Sequence, residues 1–407
     1  MKGLIVIIGL LFVSSGFTQH VLPLQFDTTR IANELFIYGQ GEYSASAIQR
    51  QFTSALLFGG NISSEMKDKS FDRHKSINRI GGELVGEIEY RNYKDSVFRP
   101  NLGWLIKVGS ANYASAAYST DLFGMAFYGN QNYLGSSVEF SGSKFQLFGM
   151  LKAGVGLVDK KTKSSVSLNA YGITNYAQAE FATGSIYQSE TGDSLHFDID
   201  GSVKYAGSSN FIKGWGIGID ADIRIPVQLI GDKLSYVQLV AKNLGIAFLN
   251  SPVTQYNVST SVGFKGFTFD ELIGSSSLFT SSTSWRDSLG VDSSQVKPSF
   301  FLPGFIQAGK MIDEMNPSKI QAFYGFRVYP TLIYNPLLYV GAQWKALPSL
   351  RFGLHGSYGG FSGLRLGFYT NVDVKSLNFS IGSEDLIGMV SKSGVGQSLL
   401  FRVRCVF

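Results

Sequence analysis

Cysteine is all but absent from this chain: Cys405, close to the C-terminus, is the only one among 407 residues. That excludes an intrachain disulfide framework and a multi-cysteine metal site. Its position excludes lipid attachment to a cysteine just behind an N-terminal export signal. Histidine is scarce too. His20, His74, His196 and His355 lie far apart with no ligand spacing between them, so no metal site is expected. Charged residues make up 16% of the chain, against roughly 25% in ordinary soluble domains. The net charge of +5 is carried by scattered side chains, whereas a nucleic-acid surface needs basic residues gathered on one face. Beyond the first residues there is no apolar run of the about 20 residues that a spanning helix requires.

Catalytic patterns are missing as well. No serine stands in a glycine-flanked nucleophile elbow, and no Ser/His or Asp/His arrangement can be placed. Gly214 to Gly218 (Gly-Trp-Gly-Ile-Gly) lies inside a strand pattern, where alternate glycines mean thin packing or strand bending and not a phosphate loop. The adjacent acids Asp313–Glu314 and Glu384–Asp385 read as solvated charge in turns. The expectation is therefore no catalytic, cofactor-binding or metal residues, and no enzyme.

What is present is aromatic and glycine-rich: 14% Phe, Trp and Tyr, and 47 glycines. Lys2, the apolar run Leu4 to Val13 and the small residues around Ser14 to Thr18 read as a secretory signal cut near Thr18–Gln19. The expected organisation is a signal over 1–18 and a single barrel domain over 19–407, with 19–45 as a small N-terminal periplasmic or plug segment.

The mature chain repeats segments of about 9–12 residues with two-residue alternation, the strand period. Ile217, Ile219, Ala221, Ile223 and Ile225 share one face, while Gly216, Gly218, Asp220, Asp222 and Arg224 take the other. Leu84, Ile88 and Tyr90 oppose Glu83, Glu87, Glu89 and Arg91. Leu338, Val340, Ala342 and Trp344 oppose Gln343 and Lys345; Leu350, Phe352 and Leu354 oppose Arg351 and His355; Leu364, Leu366 and Phe368 oppose Arg365. Phe197, Ile199 and Val203 oppose Asp198, Asp200 and Lys204. A soluble sandwich also alternates, but its strands are shorter; these match the roughly 9–11 residues that cross a bilayer obliquely. Tyr90, Tyr93, Trp104, Tyr329, Tyr334, Trp344, Tyr358 and Tyr369 recur near segment ends, as in interfacial girdles. In hydrocarbon every backbone group must be paired, so strands can span only as a closed barrel. The expected fold is an all-β, transmembrane, antiparallel up-and-down β-barrel of about 14 strands (12 to 16), with one or two short helices in its loops. Asn61 to Asn78 and Gly274 to Val296 read as long exposed loops; Phe269 to Ile273 and Glu384 to Met389 are the helix candidates.

The final segment places Leu399, Phe401, Val403, Cys405 and Phe407 on one apolar face and Arg402 and Arg404 on the other. An amphipathic last strand ending in Phe resembles the signal read by the outer-membrane barrel-assembly machinery, with Phe401, Val403, Cys405 and Phe407 as its residues. Lumen charge is expected at Glu83, Glu87, Glu89, Asp220, Asp222, Arg224, Arg402 and Arg404. Closure of the barrel should bring Arg402 and Arg404 near the Glu83–Glu89 row. Such mixed charges either tie a narrow lumen together or line a selective one.

Asp121-Leu122-Phe123 to Tyr128-Gly129-Asn130, followed by Tyr133-Leu134-Gly135, resembles a Bacteroidota outer-membrane family similar in style to the PorP/SprF proteins of type IX secretion and gliding. Leu234 to Gly245 is similar to the recurrent strand of that family ending in an Asp-Leu-Gly turn, with Asn243 in place of the Asp, and Tyr256 to Asp270 resembles the same pattern. The resemblance implies a barrel in the outer membrane, with its lipid and the assembly machinery as partners, a possible envelope protein partner, no cofactor and no nucleic acid. It also draws attention to Asp27-Thr28-Thr29, Asp95-Ser96-Val97, Asp193-Ser194-Leu195 and Asp287-Ser288-Leu289, which fit the short O-glycosylation pattern of that phylum. Two functions follow as expectations: a structural or accessory barrel of an envelope assembly, or a transport barrel, either a diffusion porin or a channel for hydrophobic substrates.

Overall fold

The computed structural model describes residues 25–26, 31–207, 209–228, 234–250, 252–264, 290–313 and 316–407. The expected signal over 1–18 and the helix candidate at 269–273 lie outside them.

In chain order the structure begins with β1 (Gln25–Phe26), β2 (Asn33–Ala45), the helices α1 (Arg50–Phe58) and α2 (Ser64–Phe71), then β3 (Ile77–Asn92) and β4 (Leu102–Ser119). Helix α3 (Thr120–Tyr128) leads to β5 (Ser137–Glu139), β6 (Lys144–Asp159), β7 (Ser165–Gln188), β8 (Leu195–Tyr205) and β9 (Gly214–Gln228). There follow β10 (Leu234–Leu249), β11 (Val253–Phe264), β12 (Val291–Val296), β13 (Ser299–Phe301), β14 (Phe305–Lys310) and β15 (Ile312–Asp313). The chain ends with β16 (Ile320–Val328), β17 (Asn335–Leu347), β18 (Leu350–Gly360), β19 (Leu364–Val374), β20 (Leu377–Ser383), α4 (Leu386–Val390) and β21 (Gly396–Val406).

Apart from β1 and β15, which pair with each other, these strands build a closed antiparallel barrel with 14 strands round its wall, the shorter ones continuing wall strands beyond its rim. It shuts where β2 pairs β21, in register from Glu34↔Val406 to Ser44↔Gly396. The seam is fastened at its end by reciprocal backbone bonds between Asn33 and Phe407 (2.8 and 3.1 Å). Asn33–Ala45 is therefore a wall strand, which corrects the expectation of a plug segment running to residue 45. Its inward side chains Phe36, Tyr38, Gln40 and Glu42 alternate with outward-facing ones, but Gly39 and Gly41 weaken the apolar stripe by which a strand is read. Ahead of it, β1 pairs in parallel with β15.

The wall has two unlike ends. At one end lie the outset of β2, the end of β21 and short turns such as Pro348–Ser349 and Lys375–Ser376. Lys375 takes a positive φ of 53° there, which the tight turn between β19 and β20 requires. At the other end lie the long connections, including all four α-helices among the described residues. The expected exposed loop over 61–78 holds α2 in its middle: Ser63 caps the Met66 N–H, and Glu65 pairs with Lys69 one turn on at 2.6 Å. Helices α1, α2 and α3 pack round Phe52 and Phe123 as an apolar cap, with the His74 ring 4.3 Å from that of Phe123. The expected helix near Glu384 to Met389 is α4, capped by Asp385.

The outer surface identifies the solvent. Val108, Val155, Leu168, Ile217, Leu338, Val340 and Leu354 point out and are about half exposed or more, in strands all round the wall. A water-soluble monomer rarely exposes an apolar patch above a few hundred Å², whereas a lipid-facing barrel needs such a band. Tyr90, Trp104 and Phe407 cluster on this face at the short-turn end (5.4 and 6.3 Å between ring centres), and Trp344 and Phe352 lie on it as well (6.1 Å). Trp215 and Phe248 stand on it toward the long-loop end (4.9 Å). Tyr93, Tyr329 and Tyr369, expected in the girdles, are buried on the inward side: each keeps the parity of a nearby inward arginine (Arg91, Arg327 and Arg365), so the two-residue alternation itself assigns them to the lumen.

Four neighbouring lines of the wall continue past the others at the long-loop end. The 24-residue β7 pairs β9 along its first half and β8 along its second. β8 in turn pairs β11, and β11 pairs β12. The segment with Phe197, Ile199 and Val203, expected as a span, thus belongs to this extension, and Asp198 and Asp200 are exposed there and not in the lumen. The hairpin between β7 and β8 adds rungs beyond the point where the descending line, interrupted over 206–213, re-enters the wall as β9.

Candidate functional site in the barrel lumen

The inward side chains of a strand recur every second residue, so neighbouring strands stack their polar positions into layers across the lumen. The middle layer is an ionic network. Glu87 accepts from Lys242 at 3.0 Å, from the Tyr38 hydroxyl at 3.2 Å and from Lys152. Asp220 faces the same lysines, Lys152 at 3.0 Å and Lys242 at 3.8 Å, together with Lys107 at 3.3 Å. Lys107 also reaches Glu89 at 3.0 Å, and Glu89 accepts from Arg91 Nε at 2.5 Å. Asp222 accepts from Arg224 at 3.0 Å and from Gln238 at 2.7 Å. All of these carboxylates are at least nine-tenths buried. Pairing of this kind is what lets buried charges persist, since each unpaired one costs several kcal/mol.

Toward the short-turn end Glu34 takes Arg404 and the Tyr93 hydroxyl (2.7 Å), and Phe36 lies between the guanidinium groups of Arg91 and Arg404 at 4.9 and 6.0 Å. Toward the long-loop end Tyr329 donates to Glu83 at 2.8 Å, and Arg365 reaches Glu42 at 3.4 Å and Glu384 at 3.9 Å. An aromatic layer crosses the lumen beside this upper group. Tyr329 packs against Phe305, Tyr113 and Tyr334 at 5.3, 6.2 and 4.8 Å, and Phe300 lies 5.4 Å from Phe148 and 4.7 Å from Tyr176. On the β16–β19 side, Tyr369 fills the space left by Gly353 and His355 that left by Gly367, where a methyl group would run into their rings, while at Gly341 it would meet the His355 Cβ and the Phe323 ring. The open space that remains in the middle layer is a cavity of about 110 Å³, bounded by Tyr38, Glu89, Asp222, Arg224, Arg402 and Phe305 among others.

Every residue expected to carry lumen charge points inward: Glu83, Glu87, Glu89, Asp220, Asp222, Arg224 and Arg402 are buried and Arg404 is nearly so. Arg402 and Arg404 lie one strand away from the glutamate row, through Arg402↔Tyr38↔Glu87 and Arg404↔Phe36↔Glu89. Their partners differ from the expected ones, since β2 intervenes: Arg404 takes Glu34, and Arg402 donates to the Ser380 hydroxyl at 3.3 Å while lining the same cavity as Glu87 and Glu89. Sequence reasoning missed the counter-ions Lys107, Lys152 and Lys242, and the acids Glu34 and Glu42. The lysines had a local signal. Lys107 stands between Ile106 and Val108, which are both outward and exposed, so the same alternation that assigned Glu87 inward assigns Lys107 inward. The Gly214–Gly218 run is structural as expected, its even-numbered glycines lying against the backbone of β10.

No family model matches the chain, and no curated protein matches it. Among solved structures it is similar to a TodX monoaromatic hydrocarbon channel deletion mutant (8% identity, TM-score 0.38, covering 93% of this chain and 90% of that one). The Pseudomonas putida toluene transporter TodX gives 8% identity and a TM-score of 0.35, over 97% and 93% of the two chains. The translocator domain of the autotransporter NalP from Neisseria meningitidis gives 8% and 0.27, over 94% and 91%. The assignment of a membrane-spanning barrel rests on the closed sheet and apolar exterior of the chain itself.

Proposed function

We propose that this chain is an outer-membrane β-barrel with a sealed lumen, serving as a structural or accessory component of an envelope assembly. The observation that carries this reading is the filled interior: ionic and aromatic layers cross it in succession, each made of mutually paired or packed side chains. Short turns at one end and long connections at the other are the usual periplasmic and extracellular ends of such barrels. The helical cap and the extension built on β7, β8, β11 and β12 would then stand outside the cell as the surface offered to a partner. The likeness of Asp121 to Gly135 and of Leu234 to Gly245 to PorP/SprF-type proteins supports type IX secretion or gliding as that assembly. Phe401, Val403, Cys405 and Phe407, on the outward face of the closing strand, fit a role as the barrel-assembly signal.

A transport barrel is the second reading, and the cavity among Tyr38, Arg224 and Arg402 favours it. Reconstitution of the purified protein in planar bilayers separates the two. The sealed reading expects no steady conductance above that of protein-free membrane, with envelope proteins retained on mild purification. A large, steady conductance would refute it.

A further inference from the structure

Where β8 gives way to β9 the chain leaves the plane of the wall. The Ala206 N–H still donates to the Tyr176 carbonyl at 3.0 Å, and the Lys213 N–H already donates to the Ile173 carbonyl at 2.7 Å. The span 206–213 therefore stands opposite only 173–176 of β7, and its surplus length has to arch out of the sheet. Ile212 marks the side to which it turns. It lies over Gly172, where a methyl group would come within 2.9 Å of its Cδ1. That direction is outward, since Gly172 keeps the parity of the exposed Val166 and Leu168 and pairs with the exposed Trp215. The missing side chain at 172 is what lets the arch settle on the outer face. Phe211, beside Ile212, is 71% exposed.

The arch stands at the level of a membrane boundary. Below it, Trp215, Ile217, Ile219, Ile223 and Ile225 keep the outward face of β9 apolar and exposed, over about the 9–11 residues that cross a bilayer obliquely. At the head of that run Trp215 and Phe248 lie 4.9 Å apart, and above them Tyr205 stacks on Tyr256 at 6.2 Å. Both tyrosines face outward: Tyr256 has the parity opposite to Val253, which is buried in the luminal core, and Tyr205 pairs with Thr254. Aliphatic side chains, then Trp and Phe, then Tyr follow the order in which a leaflet passes from acyl chain to headgroup.

We propose that this arch is a lipid-docking ledge: Phe211 and Ile212 enter the acyl chains of the outer leaflet just beneath its headgroups, and Tyr205 and Tyr256 meet the headgroups themselves. The occupant is lipid because the ledge continues the lipid-facing surface of β7 and β9, with Ile212 seated directly on it. The ledge holds the barrel at a fixed depth on the side that bears the extension, so that β8 and β11 rise into water. The inference rests on the reading of the wall as membrane-spanning with its long connections outside, and adds where the bilayer ends on this side.

Site-directed spin labelling tests the ledge, and a chain with one native cysteine suits it. In a Cys405→Ser background, single nitroxides are attached through Phe211→Cys, through Val166→Cys in the lipid-facing wall and through Ser259→Cys on the exposed polar face of the extension. The folded protein is reconstituted in phosphatidylcholine vesicles. Collision of each label with dissolved oxygen, which concentrates among acyl chains, is compared with collision with a water-soluble nickel chelate. The label at 166 should favour oxygen and the label at 259 the chelate; the label at 211 is expected to favour oxygen, with a ratio close to that at 166. Phe211 is so exposed that its replacement removes little packing, and Ile212→Cys repeats the measurement on the same arch. Labels at 211 and 212 as open to the chelate as the label at 259 would overturn the ledge while leaving the barrel in the membrane. Free access of the chelate to the label at 166 would overturn the membrane-spanning reading, and the ledge with it.

Discussion

Glu87→Gln is the sharpest probe of the braced lumen. The carboxylate holds Lys242 at 3.0 Å, Lys152 and the Tyr38 hydroxyl, and is 3% exposed. At an effective dielectric of about 20, one such pair at 3.0 Å is worth roughly 5 kcal/mol of gross attraction. Without Glu87, the ammonium groups of Lys152 and Lys242 are left with Asp220, at 3.0 and 3.8 Å, which Lys107 also engages at 3.3 Å besides Glu89. Much of the gross attraction is offset in the native state by desolvation. The measurable loss is that of a buried pair with one partner removed, about 3–5 kcal/mol. Guanidinium unfolding of the reconstituted barrel, followed by tryptophan fluorescence, reads it as a lowered midpoint. Adding Lys152→Gln to Glu87→Gln removes one of the stranded charges, so the double variant should regain about half of the loss through a favourable coupling between the two changes. A single variant that costs less than about 1 kcal/mol, or two changes that merely add, would refute the idea that this network holds the lumen together.

Other perturbations test other parts of the structure. Gly353→Ala puts a methyl group into the fully buried Tyr369 ring and should cost about 1–3 kcal/mol by overpacking, read in the same unfolding assay; Gly363→Ala, with open space round it, is the control. Phe98 is almost fully exposed in the β3–β4 turn with φ of 63°, a conformation that suits glycine, so Phe98→Gly should leave stability unchanged or raise it by up to about 1 kcal/mol. In the helical cap, burial against Phe123 and Tyr118 lowers the pKa of His74 below its ordinary 6.5. The folded cap therefore favours the neutral ring: its contribution is complete above pH 6.5 and is lost as the pH falls from there through the depressed folded value. Amide exchange in α1 and α2 should quicken over that acidic range, and His74→Gln should flatten the dependence. Equal acid sensitivity in that variant would remove His74 as the cause.

Much of the wall was legible because its information is local. Ile217 to Ile225 and Leu338 to Trp344 carry their outward faces at a period of two, and Asp220, Asp222, Glu87 and Glu89 could be placed inside from their immediate neighbours alone. The first wall strand, Asn33–Ala45, was not legible, since Gly39 and Gly41 interrupt its outward stripe. The upper strands misled for the opposite reason. Phe197, Ile199 and Val203 alternate as well as any span, and nothing within β8 tells whether the segment it meets lies in the membrane or above it.

The sequence by itself determined that this chain is a closed antiparallel barrel with an apolar exterior and charges inside, because side-chain direction in a strand follows from its backbone geometry. Only the tertiary structure decided who meets whom across the lumen. Lys242 of β10 meets Glu87 of β3, and Tyr329, beyond β16, meets Glu83. These contacts depend on the stagger of 14 strands around a closed cylinder, to which every strand contributes and which no single segment encodes.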